Sequence, residues 1–198
     1  MKHILAVFAF LALALPVLGQ GYQLGQKVQN FTLKDATTGK NLSLSDFANQ
    51  KTLVLVFTNG LCPYSKLYEN RLLSMSKNFG PKGVQFVLVN PSVGLAENGE
   101  TLAQMQAKSR AFGSALPYLA DEGQQVTTQF GATKTPEVFV LHNTNGEFYL
   151  KYKGAIDDNP QVENYVNEAY LKNAIEAVLS GQNLKTVDKR ATGCLIKK

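Results

Sequence analysis

The sequence predicts an α/β fold, a mixed sheet with helices on both faces. Two continuous apolar runs, Thr52-Leu-Val-Leu-Val-Phe57 and Val84-Gln-Phe-Val-Leu-Val89, carry the signature of strands buried on both sides. Segments of helical period separate and follow them. A later pair of strands, Glu137 to Leu141 and Glu147 to Tyr152, flanks the turn Asn143-Thr-Asn-Gly146 and reads as a hairpin.

Each element follows from a local pattern. Lys27-Val-Gln-Asn-Phe-Thr-Leu33 alternates polar and apolar as a half-buried strand does, Lys34 to Gly39 is a turn, and Asn41-Leu-Ser-Leu44 returns as a second strand. Ser45-Asp-Phe47 reads as a brief helical turn. After the loop Thr58-Asn-Gly-Leu61 a helix is expected, with Cys62 near its N-cap and Pro63 in its first turn, where a missing N–H costs nothing. Tyr68, Leu72, Met75 and Phe79 fall on one face of that helix, and Gly80-Pro81 closes it. Thr101 to Phe112 and Thr127 to Phe130 are further helical segments. Gln161 to Ser180 is the last long helix, with Leu171, Ile175 and Val178 inward and Gly181 as its C-terminal cap.

The 198 residues, 44% of them hydrophobic, suit one ordinary domain with a sizeable core. The 16 glycines and 7 prolines exclude collagenous and low-complexity readings. Two cysteines, Cys62 and Cys194, exclude a disulfide-dense mini-protein and a four-cysteine metal site, and two histidines leave little for a His-rich metal site or a Ser-His-Asp triad. Lys2-His3 precedes the uncharged run Ile4 to Leu18, which ends in Gly19-Gln20. This describes a secretory signal peptide over residues 1–19, too short for a membrane span. Residues 20–181 then form the domain and 182–198 a basic tail carrying Cys194, a charge cluster that usually marks a solvated end. No aromatics interleave with those charges, so nucleic acid is not expected as a partner.

Cys62 is the sharpest chemical feature. A cysteine at a helix N-terminus faces unpaired N–H groups and the positive end of the helix dipole, which favour the thiolate, the nucleophilic form. The plain alternative is a small buried hydrophobe. Thr135-Pro136 stands directly before a strand, where an ordinary trans bond is common and a cis bond would turn the Thr135 backbone toward a neighbouring loop. Glu69 and Arg71 read as a solvated surface pair, and Asp157-Asp158 as a loop leading into the last helix. Neither a phosphate-binding loop nor a dinucleotide fingerprint is present, so no cofactor is expected.

Phe57-Thr-Asn-Gly-Leu-Cys-Pro-Tyr64, Phe130-Gly-Ala-Thr-Lys-Thr-Pro-Glu-Val-Phe-Val140, Gly154-Ala-Ile-Asp-Asp-Asn159 and Gly193-Cys-Leu-Ile-Lys197, in this order, carry a resemblance. The chain resembles thioredoxin-fold redoxins grouped with alkyl hydroperoxide reductase and thiol-specific antioxidant proteins. Within them it looks like the branch with a Cys-x-x-Cys-Pro-Tyr site and a C-terminal Gly-Cys-x-Ile-Lys. The resemblance implies a thioredoxin-like sandwich with an N-terminal β-hairpin, and Pro136 in cis facing the active-site loop. It also exposes a departure: Asn59 stands where the branch has its first cysteine, so the loop alone cannot close a disulfide. The peroxiredoxin pattern would place Pro seven and Thr or Ser three residues before the cysteine, where this chain has Leu55 and Asn59.

The functional expectation is an exported, periplasmic or secreted thiol oxidoreductase. Cys62 attacks a peroxide or a protein disulfide, Cys194 resolves the product, and an external thiol supplies electrons. Thr58, Asn59, Pro63, Thr135 and Pro136 are the expected substrate or partner contacts. The competing reading is a redox-silent binding or structural module in which Cys62–Cys194 is a permanent disulfide, since an exported protein with two cysteines usually pairs them.

Overall fold

The computed structural model describes residues 21–97, 99–112, 116–185 and 188–198, so the predicted signal peptide lies outside the described residues. The strands are β1 (Thr32–Asp35), β2 (Asn41–Ser43), β3 (Thr52–Phe57), β4 (Val84–Asn90), β5 (Tyr118–Ala120), β6 (Lys134–Thr135), β7 (Glu137–Thr144), β8 (Glu147–Gly154), β9 (Asp188–Lys189) and β10 (Cys194–Leu195). The α-helices are α1 (Pro63–Phe79), α2 (Leu102–Phe112), α3 (Gln125–Phe130) and α4 (Tyr170–Ser180), with short 3₁₀ turns at Leu44–Phe47, Gly80–Lys82 and Glu163–Tyr165. Eight strands form one mixed sheet in the order β2-β1-β5-β4-β3-β7-β8-β9, and β10 pairs with β6 apart from it.

Both apolar runs are buried on two sides. Val54 and Val56 of β3 pack with Tyr68 and Leu72 of α1, Met105 of α2 and Leu171 and Ile175 of α4. Leu53, Leu55 and Phe57 face the other way, onto Val126 and Phe130 of α3 and onto Val28, Phe31 and Leu44. There Phe130 meets Tyr22, Phe31, Phe57 and Phe139 at ring-centroid distances of 5.1, 6.2, 5.7 and 5.1 Å, mostly edge to face, the favoured arrangement of aromatic quadrupoles. The expected mixed sheet with helices on both faces is therefore present.

A bulge interrupts the hairpin. Val140 pairs with Tyr152 and Leu141 with Leu150, so Lys151 is an extra residue on β8. It shifts the alternation by one, so that Phe148 and Leu150 enter the α3 side of the core and Tyr152 the α1/α4 side.

β7 and β8 run on to Thr144 and Gly154, past the expected ends, and two element starts depart further from expectation. The first strand begins at Thr32 rather than Lys27, because the chain before it bonds elsewhere: Lys27 bridges Tyr149 and the Val28 N–H donates to Phe148 O at 2.8 Å. The last helix begins at Tyr170 rather than Gln161. The Asn159 and Pro160 carbonyls accept hydrogen bonds from Arg71 at 2.8 and 3.1 Å, which draws residues 157–160 across to α1. Helix-face burial agrees for Tyr68, Leu72, Phe79, Leu171 and Ile175, while Met75 and Val178 pack at the margin of the core.

Candidate functional site

β3 delivers the chain to the site. In the β3–β7 register Phe57 lies opposite Glu137, so the loop after Phe57 and the dipeptide Thr135-Pro136 before Glu137 emerge side by side. The Thr135–Pro136 bond is cis. Glu137 steadies this approach, its Oε2 accepting the Thr133 and Lys134 N–H groups at 2.8 and 3.1 Å.

Cys62 is the N-cap of α1, with Pro63 in the first helical position, as the sequence predicts. Asn59 organises the loop before it. Its Oδ1 accepts the Leu61 N–H at 2.8 Å and its carbonyl accepts the Cys62 N–H at 3.0 Å, an Asx-type turn. Thr58 is tied to β4 through its N–H and Val89 O at 2.8 Å.

The two cysteines, 132 positions apart, are joined in a disulfide with their Cα atoms 6.1 Å apart. Cys62 is only 4% exposed, and its sulfur lies 3.1 Å from Thr135 O. Cys194 arrives on β10, which runs antiparallel to β6 with Cys194 opposite Thr135 and Leu195 opposite Lys134. The tail's basic residues are exposed, while its backbone is paired to the domain at two places. Asp188 and Lys189 pair with Lys153 and Gly154 of β8, and Ala191 is buried. Beyond the bridge the Ile196 N–H donates to Thr133 O at 2.9 Å, and Lys197 Nζ lies 2.7 Å from Glu97 Oε2. Hydrogen bonding to Lys197, then its charge, holds the Glu97 carboxyl below the ordinary carboxylate value. Of the predicted contacts, Asn59, Cys62, Pro63, Thr135 and Cys194 line one cleft of about 340 Å³. Thr58 and Pro136 are buried and do not line it; they belong to the loop before Cys62 and to the cis turn.

A residue without any sequence signal supports the loop. Glu100 is 2% exposed, and its Oε2 accepts the Gly60 N–H at 2.8 Å, the Asn90 amide at 2.7 Å and the Tyr118 hydroxyl at 2.8 Å. A Cβ on Gly60 would press on the Glu100 carboxyl, so this close approach requires glycine. Burial first, then the Glu100 charge and hydrogen bond, keep the Tyr118 hydroxyl protonated far above its ordinary range. Glu100→Ala leaves three buried polar groups without their acceptor and is expected to cost on the order of 2–3 kcal/mol in urea denaturation, with Glu100→Gln losing less. An unchanged midpoint for the alanine variant would show that the carboxylate does not hold this loop.

The surface-pair reading of Glu69 and Arg71 is overturned. Arg71 is 7% exposed, with Nη1 2.6 Å from Asp157 Oδ2, while Glu69 pairs with Lys108. A surface position cannot satisfy a guanidinium that the 155–160 segment covers; the buried carboxylate, the Tyr68 ring at 4.8 Å and two carbonyls do so instead. Asp157 lies in a loop ahead of the last helix, as the sequence predicts, and is buried there against Arg71. Among the described residues no cluster of three or more His, Cys, Asp or Glu side chains is placed to hold a metal ion, and no helix is long and apolar enough to cross a membrane.

A family model described as Redoxin matches residues 23–168. No curated protein matches by sequence. Among solved structures, a hypothetical protein from Sinorhizobium meliloti is 30% identical, with 90% of this chain and 96% of that chain covered and a TM-score of 0.79. An uncharacterized conserved protein from Geobacillus kaustophilus is 26% identical over 94% and 98% of the two chains, with a TM-score of 0.80. Peroxidoxin BcpB from Mycobacterium tuberculosis, 18% identical over 80% and 96%, has a TM-score of 0.59 and shares the thioredoxin-like fold.

Proposed function

The chain belongs to the Redoxin family, and from that premise we propose that it is an exported thiol–disulfide oxidoreductase whose working pair is Cys62 and Cys194. Residues 1–19 are the signal peptide, 20–181 the domain and 182–198 the tail that supplies the second cysteine. One observation carries this reading: the bridge joins a helix-capping cysteine to a strand laid against Thr135. In the reduced protein the Cys62 thiolate attacks a partner disulfide and one partner thiolate leaves. Cys194, as thiolate, then attacks the Cys62 sulfur of the mixed disulfide and expels the second partner thiolate. The partner gains two electrons, the chain ends with its Cys62–Cys194 bridge, and an external thiol restores it.

Disulfide exchange fits better than peroxide reduction. Stabilising the charge that develops on peroxide oxygen calls for hydrogen-bond donors, whereas the sulfur lies 3.1 Å from the Thr135 carbonyl oxygen, an acceptor. Leu55 and Asn59 also stand where the peroxiredoxin pattern has its proline and hydroxyl residue. The second reading, a redox-silent module stapled by the bridge, draws support from the burial of Cys62 and the anchoring of the tail on both β8 and β6.

Intact-mass analysis after alkylation separates them. The exported protein is expected to begin at Gln20 and carry no free thiol. A mild dithiol under native conditions is expected to expose both thiols within minutes, and the reduced protein to re-form the bridge on a model disulfide. A bridge that opens only after denaturation would establish the staple and overturn the enzyme.

A further inference from the structure

We propose that the tail is an internal stand-in for the partner, and that the β6 edge beside Cys62 accepts extended peptides with glycine directly before the reactive cysteine. The inference deepens the thiol–disulfide reading above and rests on it. Pairing fixes the register, with Cys194 opposite Thr135, Leu195 opposite Lys134 and the Ile196 N–H on Thr133 O at 2.9 Å. In that register the preceding residue, Gly193, lies on the cis turn itself. A Cβ there would stand 2.7 Å from the Thr135 carbonyl carbon, closer still to its oxygen, and 3.1 Å from the Pro136 nitrogen. All three atoms are backbone, in a turn that Glu137 and the β3–β7 pairing hold in place, so nothing can move aside as a flexible side chain would.

The constraint belongs to the edge and not to the tail. Any strand that brings its own cysteine to the Cys62 sulfur in this register sets its preceding residue on the same three atoms. Beyond the cysteine the edge is permissive: Leu195 is 73% exposed and lines the same cleft as Leu61, itself 42% exposed, so the next position takes a variety of apolar side chains. Three residues on, Lys197 against Glu97 marks a place for a basic residue. Reduction of the bridge releases the tail from the sulfur and lets an incoming Gly-Cys strand take its place.

The test uses the full mature chain with Cys194→Ser and the tail-like peptide Ala-Thr-Gly-Cys-Leu-Ile-Lys as its mixed disulfide with thionitrobenzoate. The Cys62 thiolate attacks the peptide sulfur, a new peptide–Cys62 disulfide forms, and the thionitrobenzoate anion leaves and is read by its absorbance. Each rate is normalised to the same peptide's reaction with glutathione. The glycine peptide is expected to react about tenfold faster than its counterpart with valine in place of glycine, the order of discrimination that shape alone supplies. Adding Gly193→Val to Cys194→Ser should expel the chain's own strand by the same clash and raise the glycine peptide's rate further. Equal normalised rates for the two peptides would overturn the glycine requirement while leaving the thiol reading intact. Release no faster than from a Cys62→Ser control would overturn both.

Discussion

Asp157→Ala is expected to lower stability by about 3–5 kcal/mol in urea denaturation, the loss that follows when one partner of a buried ion pair is removed. The side chains of Arg71 and Asp157 are only 7% and 6% exposed. Without the carboxylate, a largely buried guanidinium keeps only two carbonyls and the more distant, exposed Glu163 carboxylate at 3.8 Å. The Tyr68 hydroxyl loses its acceptor at 2.7 Å and the Asn159 N–H loses one at 3.1 Å. Burial first, then the hydrogen bond and charge of Asp157, raise the Tyr68 hydroxyl far above its ordinary value, so it remains a neutral donor throughout the working pH range. The double variant Arg71→Met, Asp157→Leu should recover part of the loss, since an apolar pair removes both desolvated charges while the Tyr68 hydroxyl still lacks its acceptor. Should Asp157→Ala prove as stable as the parent, Arg71 must have found another buried acceptor or turned out to solvent, and the clasp would be ornamental.

That clasp also shows where the sequence stops being legible. Strands β3, β4, β7 and β8 and helix α1 stand out because two-sided burial leaves continuous apolar runs and one-sided burial leaves a helical stripe. Cys62 at the N-cap is legible because Pro63 follows it directly. Arg71–Asp157 spans 86 positions and Gly60–Glu100 spans 40, and no local period encodes a partner at such distances. A charged residue in a polar stretch looks solvated until the chain that covers it is known, so Glu100 carries no sequence signal and Glu69–Arg71 reads as a surface pair. β6, β9 and β10 are two residues each, too short to alternate, and they exist only because the tail is brought back to the sheet. The cis turn is legible only through resemblance, since X-Pro before a strand is commonly trans, whereas the bridge is expected because an exported protein with two cysteines usually pairs them.

The second large effect concerns the bridge, and here stability and function are one quantity. A loop of 132 positions, once closed, removes about 5 kcal/mol of chain entropy from the unfolded state. By linkage, folding stabilises the disulfide by whatever the disulfide adds to folding. The full amount would place its potential on the order of 100 mV below that of the same bridge in an unfolded chain, beyond mild thiols. The reduced native state can recover part of it. Freed from Cys62, the seven residues from Thr192 to Lys198 regain conformational freedom worth about 1 kcal/mol or more each. Against that gain they give up the short β6–β10 pairing, the Ile196 hydrogen bond and the exposed Lys197–Glu97 pair. Release stops at Ala191, which is buried behind the β8–β9 pairing, so the domain keeps its core. Cys194→Ser is therefore expected to lower the melting temperature by less than about 10 °C, against the 10–20 °C or so that 5 kcal/mol would remove from a domain of this size. Amide exchange in the same variant should quicken from Thr192 onward and stay slow at Lys189. A fall of the full 10–20 °C, with the tail still protected, would mean that the reduced chain gains nothing by letting go, and a bridge so held would not turn over.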